Sequence, residues 1–316
     1  MTRTSAPPPV RVLMATGQSR PEPWVRELAE CLPQLEVLAW TPDDAVQADY
    51  LVCWGPPAGL FEAQHQLKAI FNLGAGVESL LAMPNLPAVP LIRLEDAGMA
   101  VQMAEYVCQA VIRFARQLDL YEADTRAGAW TLHKPISRAL YPVGVMGLGV
   151  LGKRVAQAVA GFDYPVAGWA RTPHQIDGVR CYAGADQFDD FLRATRVLVN
   201  VLPLTAGTEN IMNADTLGKL QAQGHVINVA RGAHLVDADL IALLDSGHLA
   251  GATLDVFRTE PLPPGHPFWQ HPRITLTPHT SARTLRSTSL QQIADNILRM
   301  EAGQPVPGIV DRQRGY

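Results

Sequence analysis

The chain has 316 residues, 47% of them hydrophobic and 18% charged, with a net charge of −4. That length suggests about two domains, and that balance argues against a disordered chain. The slight negative charge argues against a nucleic-acid or membrane-surface partner, and no apolar run approaches membrane-spanning length. The leading MTRTSAPPPV lacks the apolar core of a signal peptide. Cys31, Cys53, Cys108 and Cys181 form no C-x-x-C pair and no zinc spacing with histidine. The expectation is a soluble cytoplasmic protein with reduced thiols and no metal.

Residues 11–15, 35–40, 50–54, 69–73 and 90–94 are short apolar runs. Each is followed by turn residues or by a helical pattern such as 24–32. This alternation predicts a parallel sheet flanked by helices, with ligands beyond the carboxyl ends of the strands. Two such ends stand out. One is Trp54-Gly55-Pro56-Pro57. The other is Asn72-Leu73-Gly74-Ala75-Gly76-Val77, a glycine turn opening a helix, where free N–H groups could hold a small carboxylate or simply form a tight turn. A single long helix is expected over 98–121, with Val107, Val111, Phe114 and Leu118 on its apolar face. A polar stretch with Trp130 follows, over 121–135.

At 143–146 a strand leads into Gly147-Leu148-Gly149-Val150-Leu151-Gly152, and Leu151, Val155, Val159 and Phe162 then recur at helical spacing. The hexapeptide alone is a weak signal, but between a strand and a helix it reads as a dinucleotide loop. Gly147 allows the tight turn, Gly149 lets backbone approach a diphosphate, and Gly152 lets helix and strand pack closely. The amides of Val150, Leu151 and Gly152 open the helix, where partial positive charge suits an anion. The next strand end is read at 166–173. It holds no acid to accept from a ribose hydroxyl, and instead offers Arg171 and Thr172 to a 2′-phosphate. The cofactor expected is NADPH, with NADH possible and weaker.

Further strands are expected at 165–169, 197–201, 225–229, 252–256 and 274–276, with a helix over 237–244 that Asp237 could cap. Leu290, Ile293, Ala294 and Ile297 mark a last helix returning to the first domain. The chain therefore divides into 1–98 plus 286–316, the substrate-binding domain, and 99–285, the cofactor domain. Three polar residues leave successive strand ends downstream of the glycine loop: Arg231 in NVARG, Glu260 in LDVFRTEP and His279 in TPH. Reducing a 2-keto acid by hydride transfer makes an alkoxide that needs a proton, and histidine donates one near neutral pH. A carboxylate beside a histidine orients the ring and favours its charged form. Arginine can hold a substrate carboxylate in a fork. The other eight histidines, His271 among them, show no such setting in the sequence.

The order GLGVLG, NVARG, LDVFRTEP and TPH resembles the D-isomer-specific 2-hydroxyacid dehydrogenases over nearly the whole chain. WGPP, LGAGVESLL, LEDAGMAVQMAEYV, WART and EPLPPGHPFWQHPRITLTPHTSA resemble the glyoxylate/hydroxypyruvate reductase A branch of that family. The resemblance implies a Rossmann-type cofactor domain inserted into a discontinuous flavodoxin-like substrate domain, both α/β with doubly wound parallel sheets. It implies that Arg231 binds substrate, Glu260 supports the histidine and His279 transfers the proton. Leu202, Pro203, Leu204 and Ala230 would lie against the cofactor, and Asp255 would contact the nicotinamide carboxamide. Trp54 would line the substrate pocket, and the backbone of Leu73, Gly74, Ala75 and Gly76 would help hold the carboxylate. A homodimer through the cofactor domain, embraced by residues 121–135, is also implied. The activity expected is NADPH-dependent reduction of glyoxylate to glycolate and hydroxypyruvate to D-glycerate. Two alternatives stay open at this level: a reductase of bulkier 2-keto acids, or a dinucleotide-responsive binding protein of the co-repressor type.

Overall fold

A computed structural model describes residues 9–17, 20–42, 46–57 and 59–316; most of the leading segment read above lies outside them. The chain divides into two compact units, Met1–Gly98 with Thr284–Tyr316, and Met99–Arg283. Among the described residues no helix is long and apolar enough to cross a membrane.

The first unit holds β1 (Arg11–Thr16), α1 (Glu22–Cys31), β2 (Glu36–Ala39), β3 (Tyr50–Trp54), β4 (Ala69–Asn72), α2 (Glu78–Leu81) and β5 (Leu91–Ile92). Its sheet is parallel throughout, in the order β2-β1-β3-β4-β5. This is the doubly wound order of flavodoxin-like sheets. The apolar runs of β3 and β4 are buried along their length because both faces of such a sheet are covered. Leu13, Leu51, Ile70, Leu80 and Leu91 form the core. The last helix of the chain (Arg286–Glu301) belongs to this unit and packs against α1.

The second unit holds α3 (Met99–Ala115), α4 (Leu118–Ala127), β6 (Val143–Met146), α5 (Val150–Ala160), β7 (Val166–Ala170) and β8 (Val179–Ala183). It continues with α6 (Phe188–Arg193), β9 (Val197–Asn200), α7 (Ala214–Leu217), β10 (Gly224–Asn228), α8 (Asp237–Asp245), β11 (Leu249–Leu254) and β12 (Ile274–Leu276). The sheet order is β12-β11-β10-β9-β6-β7-β8, every neighbour parallel. This is a Rossmann-type order, and its direction of winding reverses between β6 and β9. The crevice outside the carboxyl ends of the strands opens there.

Three expectations are corrected. The long helix is two helices, because Gln117 adopts a left-handed conformation (φ 57°) between α3 and α4. β8 was not foreseen: it is an edge strand of mixed burial rather than an apolar run. Asp237 does not cap α8. Val236 holds the cap position with no side-chain bond, while Asp237 is the first helical residue and pairs with His266 at 3.3 Å.

Candidate active site

In the second unit every expected residue follows the carboxyl end of a parallel strand, so all lie along one edge of the sheet. The glycine loop is built by close approaches. Gly147 sits at φ 98°, and a Cβ there would lie 2.8 Å from the Val201 carbonyl oxygen. A Cβ on Gly152 would lie 1.8 Å from the Gly147 oxygen, so only glycine lets α5 start this close to the loop. Gly149 differs: a Cβ there would meet nothing within 4 Å. Gly149 is the N-cap of α5 and caps nothing with a side chain, and the first intrahelical bond is Lys153 N–H to its carbonyl. The amides of Val150, Leu151 and Gly152 therefore have no intrahelical acceptor, and the space beside Gly149 at the head of the helix is open. That is the cradle a dinucleotide diphosphate requires. Arg171 and Thr172 are exposed just past β7.

Asparagines at the ends of three strands hold the loops that follow; Asn72 and Asn228 lie in stretches that the sequence singles out, and Asn200 does not. Asn200 ends β9 and Asn228 ends β10; both are fully buried and bonded to each other at 3.0 Å. Asn200 Oδ1 accepts the Leu202 N–H, and Asn228 Oδ1 accepts the Ala230 N–H. Asn228 Nδ2 also donates to the Arg231 carbonyl. The loop of Leu202, Pro203 and Leu204 is thus tied to that of Ala230 and Arg231. His234, fully buried, sits between the two, 3.2 Å from both the Pro203 and the Arg231 carbonyl oxygens. The Arg231 guanidinium donates to the carbonyl of Ala230 at 2.6 Å.

The Arg231 loop also presses against the loop of Glu260. A Cβ on Gly232 would overlap the Phe257 carbonyl carbon at 1.8 Å. Arg258 donates to the carbonyls of Ala233 (3.2 Å) and Leu235 (3.0 Å), lacing the two loops together. Glu260 accepts the Phe257 N–H at 2.9 Å through Oε1, and its Oε2 lies 2.8 Å from His279 Nδ1. A carboxylate only accepts, so Nδ1 carries the hydrogen of that bond and Nε2 is left as the nitrogen that can gain or lose a proton. Both side chains are partly open to solvent, 44% for His279 and 35% for Glu260. A small molecule can reach them.

Asp255 is fully buried, and its carboxylate accepts from the Thr277 hydroxyl and from the Thr280 and Ser281 N–H groups on the loop of His279. One correction concerns this edge. Other histidines also meet carboxylates: His133 with Asp124, His266 with Asp237 and His271 with Asp245. Pairing alone therefore does not single out His279; its place beyond β12, on the edge that carries the glycine loop, does.

In the first unit, Asn72 ends β4 and its amide donates to the carbonyls of Gly74 (2.9 Å) and Gly76 (2.7 Å). Those carbonyls are turned inward, and the N–H groups of Ala75 and Gly76 find no acceptor among the described residues. A Cβ on Gly74 would lie 2.2 Å from the Trp54 ring, so glycine here lets Trp54, half exposed, lie against the turn. Leu73 is buried beneath it.

The family model for the NAD-binding domain of D-isomer-specific 2-hydroxyacid dehydrogenases matches residues 108–281. A glyoxylate/hydroxypyruvate reductase A from Serratia proteamaculans is 47% identical over 301 residues, covering 93% of this chain and 96% of that protein. Among solved structures, a D-isomer-specific 2-hydroxyacid dehydrogenase from Xanthobacter autotrophicus Py2, in complex with NADPH and MES, superposes with a TM-score of 0.93 at 39% identity. It covers 98% of this chain and 100% of its own. An NADPH-dependent glyoxylate/hydroxypyruvate reductase from Sinorhizobium meliloti, in complex with NADP and sulfate, gives 0.92 at 36% identity, covering 97% and 100%.

Proposed function

Because the chain belongs to the D-isomer-specific 2-hydroxyacid dehydrogenases, we propose that it reduces glyoxylate to glycolate and hydroxypyruvate to D-glycerate with NADPH. The observation that carries this reading is the 2.8 Å bond from His279 Nδ1 to Glu260 on the strand-end edge. Held in that tautomer, His279 presents Nε2 as the atom that protonates the oxygen of the reduced carbonyl. Glu260 orients the ring by accepting the Nδ1 hydrogen. The Arg231 guanidinium leaves its own loop carbonyl to pair with the substrate carboxylate, which fixes the direction of the carbonyl. In the first unit, the amides of Ala75 and Gly76 with Trp54 beside them form a surface for a small anion.

Reduced nicotinamide, when bound, supplies the hydride. Gly147, Gly149, Val150, Leu151 and Gly152 would hold its diphosphate, and Leu202, Pro203, Leu204 and Ala230 would flank the rest. Arg171 and Thr172 would take the 2′-phosphate that separates NADPH from NADH. The test is a substrate panel with purified protein and both cofactors. Glyoxylate and hydroxypyruvate with NADPH are expected to give the highest kcat/KM. A higher value for bulkier 2-keto acids would replace the substrate reading, and no turnover with any would replace catalysis by dinucleotide-dependent binding.

The second unit is also proposed to join two copies of this chain. Trp130 is 98% exposed and Leu132 87%, on the stretch after α4, with Leu118, Leu120 and Leu140 exposed nearby in the chain. Large apolar side chains left this exposed suit an interface with a second chain. Sedimentation is expected to give a dimer, and Trp130→Ser with Leu132→Ser a monomer; a monomeric native protein would end this proposal.

A further inference from the structure

The loop that carries His279 is fastened from behind. His279 itself adopts φ 52°, a left-handed conformation that a residue with a Cβ rarely holds without support. Its N–H donates to the Asp255 carbonyl at 2.7 Å. The buried Asp255 carboxylate accepts the Thr280 N–H on Oδ1 and the Ser281 N–H on Oδ2, both at 2.8 Å, and the Thr277 hydroxyl on Oδ1 at 2.5 Å. Thr277 Oγ1 is in turn 2.5 Å from the phenol oxygen of Tyr106, on α3. The direction of each bond is forced. The carboxylate accepts, so Thr277 donates to it. The one hydroxyl hydrogen of Thr277 is then in use, so Tyr106 donates to Thr277. Burial pushes the Tyr106 phenol up to about 12, so it stays neutral and able to donate.

Resting on the reading of His279 as proton donor, we propose that Tyr106 is a positioning residue for the reaction. Its hydroxyl, acting through Thr277 and Asp255, fixes the backbone from which His279 reaches the substrate. Tyr106→Phe keeps the ring and removes only the donor. Two readouts test it, one of them free of cofactor and substrate. In the unliganded protein, hydrogen exchange of the Thr280 and Ser281 amides is expected to quicken in Tyr106→Phe and in Thr277→Val. Thr277→Ser, which keeps the hydroxyl, is expected to retain the protection. In the assay, Tyr106→Phe is expected to lower kcat about tenfold, the effect of one well-placed hydrogen bond, with the KM for NADPH unchanged. Because Tyr106 acts through Thr277, the double variant Tyr106→Phe/Thr277→Val is expected to be no slower than Thr277→Val alone.

Unchanged amide exchange and unchanged kcat in Tyr106→Phe would overturn the proposal, as would losses that add in the double variant. A native protein that reduces no 2-keto acid would instead defeat the functional reading. The exchange data would still decide whether Tyr106 holds the loop.

Discussion

At the scale of single residues, the proposed chemistry turns on His279 and on Arg171. Removing a positioned proton donor costs on the order of 10²- to 10⁴-fold in rate. His279→Ala is therefore expected to lose that much kcat on glyoxylate while NADPH binding, followed by its fluorescence, is retained. Native turnover in that variant would take His279 out of the reaction. Arg171→Ala is expected to raise the KM for NADPH far more than that for NADH, because only NADPH carries a phosphate for the guanidinium to hold. Equal effects on the two would show that Arg171 does not discriminate between them. The meeting of His279 with Glu260 is legible in the sequence, because parallel strands deliver their ends to one edge. The inward turn of Asp255 is not, because its partners are amides of residues 280 and 281, more than twenty positions away. Nor are the contacts of His234 and Arg258, whose partners are backbone carbonyls of loops distant in the chain. A signal did exist for Asn72, Asn200 and Asn228: each is an asparagine closing an apolar strand. Each uses its amide to hold the next turn.

Among the elements, β6 and α5 are readable because strand period, glycine spacing and helix period all agree there. The break between α3 and α4 is not, since Gln117 is a good helix former yet adopts φ 57° there. The β6–α5 junction gives a paired test. A Cβ on Gly152 would overlap the Gly147 carbonyl, so Gly152→Ala forces α5 off the loop. Overpacking of this kind costs about 1–3 kcal/mol, and both the melting temperature and NADPH affinity are expected to fall. Gly149→Ala adds its methyl group to open space. It is expected to leave the melting temperature near native while weakening NADPH binding, because the methyl would occupy the diphosphate cradle. Equal thermal losses in the two variants would contradict this division of roles.

For the whole molecule, the alternation of strand and helix made two parallel-sheet layers legible, and the right-handed crossover rule limits how such strands can be ordered. What the pattern cannot give is which buried polar groups a sheet traps. His225, on β10, is buried against the Phe114 ring, with centroids 4.6 Å apart. Its Nε2 lies 3.0 Å from Thr253 Oγ1, while Nδ1 has no partner among the described residues. Burial first, and the Arg113 charge second, push this imidazole from its ordinary 6.5 down to about 3. An unfolded chain takes up a proton there as pH falls below about 6.5, whereas the folded chain does not until about 3. The unfolded state then binds more protons, so folding stability falls as pH drops through that window. This one group contributes up to about 1.4 kcal/mol per pH unit, and its effect is flat above the window. Denaturant titrations between pH 7 and 5, above most carboxylate titration, measure the slope. His225→Gln removes the titrating ring and is expected to flatten the slope by that amount. An unchanged slope would mean that His225 does not take up a proton on unfolding.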